Sequence, residues 1–320
     1  MKIVITYNQP GENALEDELD ILHEVALVSG CLKELGHNPV ELPMTLNLAE
    51  AFAFLQNENP DLVFNLAESL ENYGAIVYFV PALLDALQIP YTGNPTVPMF
   101  VTAGKTLTKQ ALYSAQLPVP SSWKPSEAAH LPAGKFILKP LWEEGSLGLD
   151  EDSVFESPGF DVEKIQSLKD NLYFIEPYID GREFNVSMLA GENEPQVLAV
   201  AEIRFVDYPA DKPKVLGYKA KWNEDSFEYQ NTVRTYDLGE GGDAIYKNLA
   251  ELSRKCWNSL GLRGYARVDF RMDSAGNPYI LEVNANPCIT PGSGFYAACD
   301  HAGITFTQAV QRIINDAIKK

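Results

Sequence analysis

Cysteine is scarce and scattered: Cys31, Cys256, Cys288 and Cys299 are the only four in 320 residues, and no two are spaced as CxxC. This argues against both a disulfide framework and a thiolate zinc site. No apolar run approaches the ~18 residues that a membrane helix needs. The opening Met1–Tyr7 is too short for a signal-peptide apolar region and lacks a small-residue cleavage site, so a cytoplasmic location is expected. Basic residues are also in short supply, 25 Lys and Arg against 44 Asp and Glu, for a formal charge of -19. That balance repels phosphate backbones and anionic membrane surfaces, so neither nucleic acid nor a membrane is expected as a partner. Internal repeats and low-complexity tracts are absent as well.

A hydrophobic content of 46% suffices for two or three cores in a chain of this length. The first hundred residues alternate short apolar runs with amphipathic stretches: strands at Lys2–Tyr7, Val40–Leu42 and Asp61–Leu66, helical patterns at Leu15–Leu35, Leu48–Gln56 and Phe79–Leu87. This βαβ rhythm predicts a parallel sheet with flanking helices. From Pro98 the rhythm changes to a helix at Lys105–Gln116 and a strand at Lys135–Lys139, a second, α+β unit. Beyond Glu176 come strands at Phe184–Leu189 and Gln196–Arg204, a long loop through Asp211–Arg234, a helix at Ala244–Leu260, a β-hairpin, and a last helix at Phe306–Ile318. Domains at 1–97, 98–176 and 177–320 are expected.

The hairpin carries the sharpest chemistry. Tyr265–Met272 and Tyr279–Asn284 alternate polar and apolar residues around the turn-forming Asp273–Pro278. A symmetric turn sets Asp269 opposite Glu282 and Arg267 opposite Asn284, all four on one face, with Ala266, Val268, Phe270, Leu281 and Val283 on the other. Two opposed carboxylates repel by roughly 0.2–1 kcal/mol unless something positive lies between them. A divalent cation would remove that conflict, and the oxygen donors Asp269, Glu282 and Asn284 suit Mg²⁺ or Mn²⁺. The alternative is a surface ladder in which Arg267 and Arg271 neutralise the acids.

Upstream, Phe136-Ile-Leu-Lys139-Pro140 ends a strand in a lysine, and the loop Glu144-Gly145-Ser146-Leu147-Gly148-Leu149 follows. Glycines let backbone N–H groups approach anionic oxygens, Ser146 adds a hydroxyl and Lys139 a fixed charge. Taken alone, a glycine pair after a strand is equally a plain turn. The acids Glu176 and Glu183, with Tyr178 between them, could accept hydrogen bonds from a purine and a ribose, or simply be solvated.

Taken in order, Lys105, Lys139-Pro140, the Gly145–Leu149 loop, Glu176 with Gly181-Arg182-Glu183-Phe184, Lys221, Arg267-Val-Asp269 and Glu282-Val-Asn284-Ala-Asn286-Pro287 resemble the ATP-grasp superfamily. Within it they look like the D-alanine:D-alanine ligase group, as do Pro90-Tyr91-Thr92-Gly93 and His23–Gly30. The resemblance covers nearly the whole chain. It implies a mixed α/β (α+β) ATP-grasp fold, with an N-terminal Rossmann-like parallel-sheet domain and two α+β subdomains clasping ATP. It further implies that Lys105 and Lys139 hold the phosphates under a flap containing Gly145, Ser146 and Gly148, with Glu176 and Tyr178 at the adenine and Glu183 at the ribose. Asp269, Glu282 and Asn284 would hold two Mg²⁺, with Mn²⁺ able to substitute. Arg267 would stabilise the transferring phosphoryl group, Ser146 would take part in catalysis, and Lys221 and Ser293 would lie near the second substrate's carboxylate. A homodimer is implied too.

The sequence departs from that group on the substrate side. Leu22 stands where an acid binds the first substrate's ammonium, Gly145 and Trp222 replace the serine and tyrosine linked to it, and Cys288 replaces a glycine of the oxyanion hole. Phe64–Glu68 replaces a His-Gly-containing loop, so that Glu68 or Glu71 could bind an ammonium instead. The expected activity is therefore an ATP- and Mg-dependent, ADP-forming ligation of a small-molecule carboxylate to an amine through an acyl phosphate, with altered substrates. The rival readings are an authentic D-alanine:D-alanine ligase and a catalytically inactive ATP-binding scaffold.

Overall fold

Strand β1 (Lys2–Asn8) is almost wholly buried, with Ile3, Val4 and Ile5 at 0% exposure, as befits a central parallel strand covered on both faces. Helix α1 (Glu16–Glu34) leads from it to β2 (Asn38–Met44), and α2 (Leu48–Glu58) leads to β3 (Leu62–Asn65). The three strands form a parallel sheet in the order β2-β1-β3. The computed structural model describes residues 1–11, 14, 16–142 and 148–319. Helix α1 ends where Gly36 adopts a φ of +77°, the left-handed turn that glycine allows at no steric cost. Helix α3 (Phe79–Leu87) then packs beside the sheet through Val80 and Leu84.

Helices α4 (Thr96–Ala103) and α5 (Lys105–Ser114) precede a small antiparallel sheet of β4 (Gly134–Pro140), β5 (Val154–Ser157) and β6 (Tyr173–Pro177), in the order β5-β4-β6, with the short α6 (Val162–Gln166) against it. Its core is slight: Ala128, Phe136, Ile165 and Ile175. The larger sheet contains β7 (Arg182–Leu189), β8 (Gln196–Phe205), β9 (Thr232–Thr235), β10 (Tyr265–Met272) and β11 (Pro278–Asn284), in the order β11-β10-β7-β8-β9, all antiparallel. The stretch expected as a loop through Arg234 instead contains α7 (Tyr218–Trp222), α8 (Phe227–Gln230) and β9. Elements of four or five residues are too short to leave a periodic signature. Helix α9 (Gly242–Leu260) shares a core with α4, α5 and the apolar side of the large sheet, where Phe184, Val186, Ala266, Val268 and Phe270 point. The chain closes with α10 (Gly294–His301) and α11 (Phe306–Ile318). These join α1 and β1 in one core through Val25, Val28, Leu32, Phe295, Val310 and Ile313. Among the described residues no helix is long and apolar enough to cross a membrane.

Asp269 pairs with Glu282 and Arg267 with Asn284, as the symmetric turn predicts. Leu281 is the exception. A bulge between the 269–282 and 270–280 pairs leaves Leu281 as the extra residue on β11, and it faces the cleft beside Glu282 rather than the apolar side. Ile280 takes its place in the core.

Phe270 is fully buried where β10 meets α5 and α9. Phe270→Ala should cost about 3–5 kcal/mol of unfolding free energy, read as a lowered urea midpoint at unchanged slope. A loss below about 1 kcal/mol would place this ring outside the main core.

Candidate functional site

The two antiparallel sheets face each other across a cleft of about 850 Å³. Strand alternation sends the polar residues of β7 and β10 into it while their apolar neighbours pack behind. Its lining brings together eight of the residues singled out from sequence: Lys105, Lys139, Glu176, Tyr178, Glu183, Lys221, Asp269 and Glu282. Val215 and Leu216 contribute apolar walls. Gly148 sits in a turn at φ +70°, against the Pro140 ring. Gly145 and Ser146 lie outside the described residues.

Asp269 is held by four hydrogen bonds. Arg267 donates from Nε (2.8 Å) and Nη2 (2.7 Å), Asn284 from Nδ2 (3.1 Å) and Asn185 from Nδ2 (2.8 Å). Burial nevertheless pushes its carboxyl above the ordinary range, and the Glu282 charge adds to this against the pull of Arg267. Glu282 behaves oppositely. Burial would raise it too, but Lys105, whose Nζ is 3.7 Å away, Lys221 and Arg267 outweigh that and hold it at about 2. One acid is thus firmly ionised while its neighbour resists ionisation, the asymmetry expected of like charges forced together. The donor set of two carboxylates and an amide oxygen fits a hard divalent cation.

A second network organises the cationic wall. Glu176, 1% exposed, accepts from Lys139 at 2.7 Å and from Lys109. Burial opposes its charge, but the two lysines prevail and keep its carboxyl below the ordinary range. Lys109 escaped the sequence reading, although it follows Lys105 by four residues and so shares its helix face. Glu183 is fixed by Arg271 at 2.6 Å, and the Tyr178 hydroxyl accepts from the Lys214 N–H at 2.7 Å. Arg271 also reaches the Lys214 carbonyl, joining sheet and loop at the far end of the cleft. Lys221 is disfavoured as a cation by burial and then by Arg267, with Glu282, Asp269 and Glu183 opposing.

Beyond Asn284 a smaller cavity is lined by Glu68, Met99, Thr102, Ala285 and Asn286. Glu71 does not join them: it is exposed and accepts from the Leu46 N–H at 3.5 Å. Leu22 is 43% exposed, but Asp20 and Glu24, four residues apart on α1, turn inward. The Cys288 Sγ donates to Asp20 at 3.2 Å, Thr290 Oγ1 donates to Asp20 at 3.0 Å, and the Ile289 N–H donates to Glu24 at 2.8 Å. Burial, then Glu24 and Glu68, push the Cys288 thiol far above its ordinary range, which disfavours the thiolate that a nucleophile needs. The i, i+4 spacing of Asp20 and Glu24 is the signal in the sequence that sets both acids on one face of α1. Trp222 closes α7 next to Lys221, and its buried Nε1 has no hydrogen-bond partner among the described residues. Ser293 caps α10 by accepting from the Tyr296 N–H at 3.3 Å.

A family model described as D-ala D-ala ligase C-terminus matches residues 127–315. The D-alanine–D-alanine ligase of Stutzerimonas stutzeri is 31% identical over 245 residues, 74% of this chain and 72% of that one. Its counterpart in Moorella thermoacetica is 29% identical over 335 aligned positions covering 100% of both chains. The crystal structure of D-alanine–D-alanine ligase from Bacillus anthracis complexed with ATP superposes with a TM-score of 0.74 at 19% identity, covering 100% of this chain and 98% of that one.

Glu24 supplies a test of the buried acid cluster. Burial raises its carboxyl to about 8, against the hydrogen bond from Ile289. A carboxyl raised on folding contributes stability that is complete below its unfolded value, near 4.5, and is lost as pH rises through 8. Stability should therefore fall between those limits by up to roughly 1.4 kcal/mol per pH unit. Glu24→Gln, which keeps the acceptor for Ile289, should flatten that slope in urea titrations; an unchanged slope would mean that Glu24 is ionised when folded.

Proposed function

Because the chain belongs to the D-alanine–D-alanine ligase family, we propose that it activates a small carboxylate with ATP and joins it to an amine, with a substrate pair other than two D-alanines. The fold is ATP-grasp, and the protein is an ATP-dependent ligase forming C–N bonds, acting on small molecules with ATP and a divalent metal ion. The observation that carries the finer reading is the convergence of Lys105, Lys139, Lys221, Asp269 and Glu282 on one cleft, with Arg267 clamped to Asp269 at its edge.

In this reading Lys105 and Lys139 bind the phosphates, while Tyr178, Glu176 and Glu183 frame adenine and ribose. Ser146 and its glycine loop cover the nucleotide, and Lys221 and Ser293 lie near the second substrate's carboxylate. Asp269, Glu282 and Asn284 would hold two Mg²⁺, or Mn²⁺, whose charge offsets that of the phosphoryl oxygens. Arg267 presents a permanently charged fork to the oxyanion that develops on the phosphoryl group and then on the tetrahedral adduct. The rest of the acceleration comes from holding acid and amine together away from water, which also protects the acyl phosphate. The domain limits 1–97, 98–176 and 177–320, a homodimer and a cytoplasmic location belong to the same proposal.

Altered substrates are supported by exposed Leu22, by Trp222 with its buried indole nitrogen, and by the Cys288 side chain engaging Asp20. One observation favours the second reading, authentic D-alanine–D-alanine ligase: Asp20 and Glu68 still supply negative charge near Cys288. Incubation with ATP, Mg²⁺ and either D-alanine alone or pools of other amino acids and small acids decides between them. The proposal expects ADP and a new amide only with the pools; a D-alanine dipeptide as main product would select the second reading.

Arg267→Ala should reduce product formation by at least ~10³-fold while ATP affinity stays within about threefold, measured by calorimetry beside turnover. Parallel loss of both would remove Arg267 from transition-state stabilisation. Replacing Asp269 or Glu282 by Ala should raise the Mg²⁺ concentration for half-maximal activity at least tenfold; an unchanged requirement would take them out of the metal site.

A further inference from the structure

Arg234 stands on β9, the edge strand of the large sheet, opposite Ile203. Its Nη1 donates to the carbonyls of Gly292 (3.1 Å) and Ser293 (3.4 Å), so the side chain reaches from the sheet edge to the segment that begins α10. Arg267 packs against the same segment: a β-carbon built on Gly294 would lie 3.6 Å from Arg267 Cδ and 3.7 Å from its Nη1. Two guanidinium groups therefore flank the stretch Ser293–Gly294.

They are balanced differently. Arg267 has the Asp269 carboxylate at 2.7 Å. Arg234 forms no ion pair with any carboxylate among the described residues, and its only hydrogen bonds there are to the two carbonyls. An arginine offers five N–H donors in a planar fork suited to a carboxylate, and Arg234 remains exposed, with Nε and Nη2 uncommitted among the described residues. Burial disfavours its cation, and the Arg267 charge adds to this against the favourable influence of Tyr236, a balance that a bound anion would improve.

Position narrows what that anion belongs to. No residue of β9 lines the nucleotide cleft, whereas Arg267 is tied to it through its ion pair with Asp269, so Arg234 is placed beside the phosphate site and not in it. Around Cys288 lie Asp20 and Glu68, whose carboxylates would repel an anionic substituent. Negative charge on a substrate is thereby directed towards α10, where two separate forks on either side of one segment suit two anionic groups better than one. We propose that Arg234 forms an anion subsite beside Arg267, and that the amine joined by this enzyme is a dicarboxylic amino acid, one carboxylate facing each guanidinium. This rests on the ligase reading above.

The test compares aspartic and glutamic acids with asparagine and glutamine, their neutral counterparts of equal size, as amine substrates for the full-length protein with ATP, Mg²⁺ and the acid pools. Nucleotide binding is measured in parallel by calorimetry. The expected result is kcat/KM at least tenfold higher for the dicarboxylic member of a pair, a preference that Arg234→Gln reduces to within about twofold and Arg234→Lys partly restores. A structural role would lower both members alike. Turnover without such a preference, or a preference that survives Arg234→Gln, overturns the inference while leaving the ligase reading intact. Failure to bind ATP or to form ADP with any substrate brings down the ligase reading, and this inference with it.

Discussion

Asp269 facing Glu282 across a ladder pair is the constraint around which the rest of the cleft is arranged. Two carboxylates at adjacent positions of one sheet face oppose folding unless cations surround them, and the chain supplies Lys105, Lys221 and Arg267 for Glu282, with Arg267, Asn185 and Asn284 on Asp269. Only a rigid platform can hold such a pair together. The five-stranded sheet is that platform, because its reverse side is sealed by α4, α5 and α9 through Phe184, Val268 and Phe270. Core packing and acid placement are thus two sides of the same strands, one apolar and one charged.

The facing wall solves the converse problem. Lys139 and Lys109 sit close enough to repel each other, and Glu176 between them absorbs both charges. The cleft therefore has a cationic wall braced by a buried acid and an acidic floor braced by cations. Such reciprocal bracing fixes charged groups before any ligand arrives, and preorganised charge in a site that excludes water stabilises a transition state without reorganisation.

Sequence made the back-and-front logic of the hairpin legible because period-two alternation over eight residues leaves little choice of face. It correctly set Asp269 against Glu282 and Arg267 against Asn284. It misplaced Leu281, since nothing in the residue pattern announces a bulge one step before the metal-type acid. It also missed Lys109 and Asp20, which were visible as i, i+4 partners on helices but carried no motif, and it gave Glu24 no role beyond its place in the His23–Gly30 segment. Arg234 was hidden differently: a four-residue edge strand has too few positions to show a period, so its neighbourhood read as loop. Partners distant in sequence, such as Asp20 with Cys288 and Arg234 with Ser293, emerge only when chain segments far apart are folded together.

The first helix and the last two share one core, in which Val25, Val28 and Leu32 meet Phe295, Val310 and Ile313. On a ribosome these halves emerge at opposite ends of synthesis. Residues 1–97 can form their parallel strands early, yet one flank of α1 stays uncovered until the final turn of α11 has left the exit tunnel. Until those closing helices dock, the growing chain thus carries an open apolar seam along α1.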